Sequence, residues 1–512
     1  MRLSDATNAV HRVLRRPSDL LPFYILGAAA GAVVRVIPIA ALLVVYLALE
    51  ISGRLDAFRA ELAEIDRPAP GLESEEELAT WLTEELVPAL EALFSPEIGG
   101  VLLLLFAATM LAMFAAGVVL TALLSAGQLA ACAARVRGAR GLTAGVAGVR
   151  RYWPTFLALY LLEVVLWLVV TLGLLVVAAL GAAVFGLATG LPEIGVLLAL
   201  AAVPVWLLAV IAIRAVFALA PVAVVVDDVG AFPSLKRAAA FIRHNPVLAA
   251  FYYVISVGAL LAFGTLISIL SLFGAGTALS LASTIVLLPV LDLLKTALYT
   301  GARGRLAPPP LPEAGLWGQF RAGTRRGWDE MVRFVRATPG IHALSIGTLA
   351  VGLAMGWVGA APFAGIVETS IAGRLEGHLP PRAALEFFGN NWTVALTTAY
   401  SGVAFAVPAL VSLWFNGVAI GAIARLEVEL LELIAFVVPH GIFEIPAIIV
   451  AGAVGIHLGV RWWGALRGRL DRPAFADSLE RAFWVLIGVG ILLAVAAFIE
   501  GFISPYYWRP FL

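Results

Sequence analysis

Five side chains able to do chemistry stand inside one apolar stretch, residues 387–459: Asn390, Asn391, Asn416, His440 and Glu444. Polar and ionisable groups are costly in hydrocarbon, so they face a bundle interior, a cavity or a partner. His440 and Glu444 are four residues apart, which puts them on one helix face. A carboxylate so placed can fix an imidazole tautomer for proton transfer or for metal binding. The structural alternative is that both bond backbone groups freed by Pro439 and Pro446, which would kink or break the helix, or bond Asn391 or Asn416 on adjacent helices. Only His457 and Glu500 could extend the pair. His457 lies seventeen residues further on, about 25 Å along a helix, and a catalytic zinc wants three protein ligands. No HExxH is present, so no metal, cofactor or catalytic residue is expected.

Asn416-Gly417 with Gly421 reads in two ways: as an unwound helix junction whose ends bind an ion, or as close helix packing through glycine. In the first half, Glu163 and Arg214 sit at comparable depth in neighbouring spans of opposite direction and could form an intramembrane ion pair. Asp292 and Lys295 form an i, i+3 pair, and Arg35 stands nearly alone at mid-membrane. There is no Walker loop, nucleophile elbow or dinucleotide-binding glycine motif.

The elements that must position these groups are membrane helices. The 512 residues are 62% hydrophobic and 13% charged, where a soluble chain is nearer a quarter charged. Mean hydropathy is +0.98. Apolar runs of about 20 residues recur, so the expected fold is all-α, a polytopic transmembrane bundle of about eleven spans with the N-terminus inside. Residues 1–16 are polar and basic and read as no signal peptide. The single cysteine, Cys132, excludes a disulfide framework. A formal net charge of zero gives no case for nucleic-acid binding.

Three domains are expected. Residues 1–306 form a six-span bundle with an acidic extracytoplasmic insertion at 52–97, which holds twelve acids against three arginines. Leu78, Trp81, Leu82, Leu86 and Leu90 give part of that insertion a helical apolar face. Residues 307–339 form a basic cytoplasmic linker, and residues 340–512 a five-span domain. In this last domain, residues 392–426 must cross twice to keep Arg461, Arg467, Arg469 and Arg472 inside, which places a break near Asn416-Gly417.

Prolines 17, 154, 246 and 339 each end a short basic segment and open an apolar run, with Pro473 a looser case. The last three full cases are about 92 residues apart. Each basic segment should be an amphipathic interfacial helix. In residues 320–335 the apolar side carries Trp328, Met331, Phe334 and Val335.

The runs NN-x-x-VAL at Asn390, NG-x-x-x-G at Asn416, PHG-x-x-EIPA-x-x-x-AG from Pro439 and E-x-FI-x-P from Glu500 resemble the stage II sporulation protein M family over roughly the last third of the chain. The resemblance implies a membrane domain; the family's namesake sits in a membrane complex that remodels cell wall during engulfment. The first half, through VVVDDVGAFPSLKRAAAFIRHNP, resembles membrane domains found beside glycerophosphodiester phosphodiesterases. That implies architecture and no activity, since no phosphodiesterase motif accompanies it.

The expected function is a non-enzymatic scaffold or anchor in a plasma-membrane envelope complex. The lipid bilayer and protein partners surround it, and the glycine-rich faces are compatible with a homodimer. The alternatives are a transporter or lipid or ion translocator lined by the five polar residues, and an intramembrane metal-dependent hydrolase.

Overall fold

The computed structural model describes residues 2–63, 80–81, 83–84, 87, 90–91, 96–190, 192–364, 379–427 and 430–507. The chain is an all-α membrane protein: ten helices among the described residues are long and apolar enough to cross a bilayer. Eleven crossings were expected. The helix not among the ten is Pro380–Ser401, which carries Arg382, Glu386, Asn390 and Asn391. Most of the acidic insertion, with Leu78, Leu82 and Leu86, lies outside the described residues.

Two compact units interleave along the sequence. The first comprises Met1–Tyr24, Val118–Gly264 and Val286–Pro312. It contains α1 (Leu3–Leu14), the C-terminal part of α4 (Pro96–Arg135), α5 (Gly141–Thr189), α6 (Pro192–Asp227), α7 (Ala231–His244), most of α8 (Pro246–Ser271) and the C-terminal half of α9 (Gly276–Ala302). Small residues of α4, among them Ala126, Ala130 and Ala133, let Phe156 of α5, Leu219 and Val222 of α6, and Tyr299 of α9 pack closely. Phe23 inserts its ring between Gly127 and Gly145, where an added Cβ would lie 2.5 and 2.2 Å from ring carbons.

The basic amphipathic segments are helices. α1 buries Ala6, Ala9, Val10 and Val13, and α7 buries Ser234, Ala238 and Phe241. Pro246 opens α8 at its first turn, where proline lacks nothing the helix needs. Pro154 departs from the expected pattern: α5 runs unbroken from Gly141 to Thr189, with the proline inside.

Two largely covered carboxylates organise this unit. Asp19 accepts from the backbone N–H groups of Gly141 (2.9 Å) and Leu142 (3.0 Å) at the start of α5. It also pairs with the buried Arg135 at 3.2 Å. Thus α5 is capped from a distant segment. Asp19→Ala is expected to cost about 1–2 kcal/mol, the upper range for a lost N-cap, because Arg135 is also left unpaired. Thermal unfolding in detergent reads this, with Asp19→Asn losing less.

Asp227, its side chain only 2% exposed, ends α6, accepts a hydrogen bond from Tyr299 (2.7 Å) and pairs with Arg303 (3.0 Å) and Arg237 (3.2 Å). It ties α6, α7 and α9 together. The next residue, Asp228, adopts the left-handed conformation (φ 54°) and pairs with Arg151 of α5.

The second unit comprises Ile25–Gly117, Thr265–Ile285 and Glu313–Leu512. It holds most of α2 (Leu21–Ile51), α3 (Arg54–Ala63), α10 (Leu316–Ala337), α11 (Pro339–Ala360), α12 (Pro380–Ser401), α13 (Val407–Leu426), α14 (Leu430–Leu466), α15 (Arg472–Phe502) and α16 (Ser504–Tyr507). Pro339 and Pro473 fall in the first turns of α11 and α15. α10 turns only part of its apolar side inward. Met331 and Phe334 are buried, whereas Trp328 and Val335 are 42% and 39% exposed, so this side is shared between protein and surroundings. Gly327 of α10 fits against Ile487 of α15, and Gly488 receives Met331.

The break in residues 392–426 lies at residues 402–406, not at Asn416-Gly417. There Phe405 and Ala406 take φ of 59° and 64°. This turn sits on Gly455 and Gly459 of α14; a Cβ on Gly459 would be 2.3 Å from the Ala406 nitrogen. Asn416 instead lies within unbroken α13, its amide donating to the Ser412 carbonyl at 2.7 Å. A kink or a break was expected at Pro439 and Pro446; the helix is not broken there, since α14 continues through both.

Gly417 and Gly421 of α13 pack on Gly352 and Gly356 of α11. A Cβ on any of the four would fall 2.0–2.2 Å from a backbone oxygen of the facing helix. Only glycine permits this approach. Of the two readings of the NG-x-x-x-G motif, the structure has helix packing.

Candidate functional site

α14 presents His440 and Glu444 one turn apart on a common face. The end of α15 presents Glu500, and α16 presents Ser504, again four residues later. These two pairs meet. One ligand atom each from His440, Glu444 and Glu500 lies within 4.8 Å of the others. His440 is buried, and its Nδ1 lies 3.1 Å from the Ser504 hydroxyl. The Phe436 ring stands edge-on to the imidazole, with centroids 5.6 Å apart.

α12 supplies the third wall. Asn391 donates through Nδ2 to Glu444 Oε1 at 3.0 Å, and Asn390 donates to Asn391 Oδ1 at 3.2 Å. Glu500 Oε2 is buried and has no hydrogen-bond partner among the described residues. Two carboxylates held this close repel, and a proton or a cation between them relieves the repulsion.

The site therefore gathers Asn391, His440 and Glu444, with Asn390 behind them. Asn416 is elsewhere. Of the two residues able to extend the pair, Glu500 joins it. His457 instead packs edge-on against Phe334, 5.6 Å between centroids. Ser504 was not anticipated, although it occupies the second variable position of E-x-FI-x-P. The available signal was its four-residue spacing from Glu500.

In the first unit, Glu163 and Arg214 meet at 2.7 Å, with the arginine side chain 61% exposed and the glutamate largely covered. Asp292 bonds Lys295 at 2.7 Å and accepts from Tyr24 at 2.8 Å, while Tyr24 also lies 3.3 Å from the Cys132 sulfur. Arg35 is exposed on α2.

A polar cross-tie between membrane helices, set beside glycine-mediated packing, defines a helical membrane domain, and comparison shows what that domain is similar to. Residues 345–505 match the stage II sporulation protein M family. A 120-residue stretch is 28% identical to an uncharacterized protein of Methanocaldococcus jannaschii, covering 23% of this chain and 67% of that protein. No solved structure matches.

Proposed function

We propose that the protein is a non-enzymatic scaffold or anchor of a plasma-membrane envelope complex. The observation that carries this reading is the backbone-to-backbone seating of α11 on α13 through four glycines. Packing of that kind favours one rigid arrangement over alternating ones. The family's namesake belongs to a membrane assembly, and the amphipathic helices α1, α7 and α10 would hold basic faces at the headgroups.

The alternative, an ion or lipid translocator, is favoured by the unpaired buried oxygen of Glu500 beside His440 and Glu444. Affinity capture from mild detergent, with wild type and a His440→Ala, Glu444→Ala double variant, separates the two. The scaffold reading expects co-purifying envelope proteins and a variant that loses thermal stability and partners together. A variant that stays folded and keeps its partners, yet fails in cells, would make the cluster an ion path instead.

A further inference from the structure

We propose that His440, Glu444 and Glu500 bind one divalent transition-metal ion. The inference is independent of the scaffold reading. His440 and Glu444 each have one donor atom committed and one left over, and Glu500 buries an oxygen with no partner among the described residues. His440 engages Ser504 through Nδ1, which leaves Nε2. Glu444 accepts from Asn391 on Oε1, which leaves Oε2. Glu500 holds Oε2 buried with no partner among the described residues.

This is the division of labour that metal sites use. A ligating imidazole gives its other nitrogen to an outer partner that fixes its orientation, and a ligating carboxylate is itself hydrogen-bonded. Ser504 and Asn391 are those outer partners. The metal also resolves the electrostatics, since a divalent ion neutralises two adjacent carboxylates in an apolar setting. One imidazole and two carboxylates suit Zn2+, with Mn2+ and Fe2+ as weaker competitors.

One ligand atom from each of the three residues lies within 4.8 Å of the others. Tetrahedral ligands about 2.1 Å from an ion are about 3.4 Å apart, so small side-chain rotations close the site. Three protein ligands leave a fourth position for water. The ion would fasten α14 to the end of α15.

The test uses the full chain, purified in detergent without a histidine tag, stripped with EDTA and titrated with CoCl2. The expected result is one Co2+ per chain with visible ligand-field absorption, displaced by ZnCl2, and a higher unfolding temperature with Zn2+. Glu500→Gln and Glu444→Gln should each weaken binding more than about a hundredfold, since loss of an outer partner alone costs roughly 10–100-fold. Ser504→Ala should fall within that outer-partner range.

X-ray absorption at the zinc edge of the wild-type complex needs no variant and should count one imidazole. Absence of saturable binding overturns the proposal and assigns a shared proton to the carboxylates. Binding unchanged in both glutamine variants, or a count of zero or two imidazoles, also overturns it.

Discussion

Gly421→Ala is expected to destabilise the C-terminal domain by about 3 kcal/mol or more, at or beyond the upper end of ordinary overpacking. The added methyl would stand 2.0 Å from the Leu353 carbonyl oxygen and 2.9 Å from the Trp357 nitrogen. Those neighbours are backbone and cannot rotate aside. The helices must separate, and Gly352, Gly356 and Gly417 then lose their contacts as well. Thermal unfolding in detergent measures the effect. Gly347→Ala and Gly359→Ala, in or next to the same stretch of α11 but with nothing within 4 Å of the new Cβ, supply the control. They should be neutral or slightly stabilising, because alanine is the better helix former by about 0.5–1 kcal/mol. Equal effects at both kinds of position would rule out interlocked helices.

Asp227→Ala is expected to cost the first unit about 2 kcal/mol. That lies between the roughly 3–5 kcal/mol for breaking a buried pair and the 0–1 kcal/mol of a surface pair. The intermediate value follows from unequal burial: Asp227 is 2% exposed, but Arg237 and Arg303 are 42% and 40% exposed and recover hydration when released. The Tyr299 hydroxyl, on a fully buried ring, loses its acceptor altogether. Asp227→Asn keeps an acceptor for Tyr299 and should lose about half as much. If alanine and asparagine behave alike, the tyrosine bond contributes nothing and the charge pairing accounts for the whole effect.

The helical membrane architecture was legible from apolar run length, because a bilayer forces one backbone solution on a spanning segment. Three points were not. The break before α13 was expected at Asn416-Gly417, since asparagine and glycine disfavour helix; packing against Gly352 and Gly356 overrides that preference. The real break, at Phe405 and Ala406, carries no glycine at its positive-φ positions, so composition gave no sign of it. Pro439 and Pro446 were expected to kink or break α14; the helix runs on through both, as membrane helices can when neighbours satisfy the freed groups.

The candidate site was half visible. His440 and Glu444 announce each other by their four-residue spacing. Asn391 and Glu500 come from segments about fifty to sixty residues away on either side. Their convergence is a property of the tertiary fold, and periodicity within one helix cannot encode it. Asp227 illustrates the same limit: its three partners lie ten to seventy-six residues downstream.

The interleaving of the two units sets a timetable for biosynthesis. The segment Ile25–Gly117 leaves the ribosome early, but the unit it belongs to resumes only at Thr265 and is built mainly from Glu313 onward. Tyr46 of α2 and Phe58 of α3 share a cleft with Met355 and Val358 of α11, some three hundred residues later. At roughly 5–20 residues per second, those early helices wait on the order of tens of seconds for their partners. Meanwhile Val118–Gly264 of the other unit is translated. A nascent chain arranged in this way must park unpartnered spans in lipid, or at an insertase, before its halves can be sorted. Pulse-labelled intermediates stalled before residue 313 should therefore be protease-sensitive around α3 while the region from Val118 onward has begun to acquire protection.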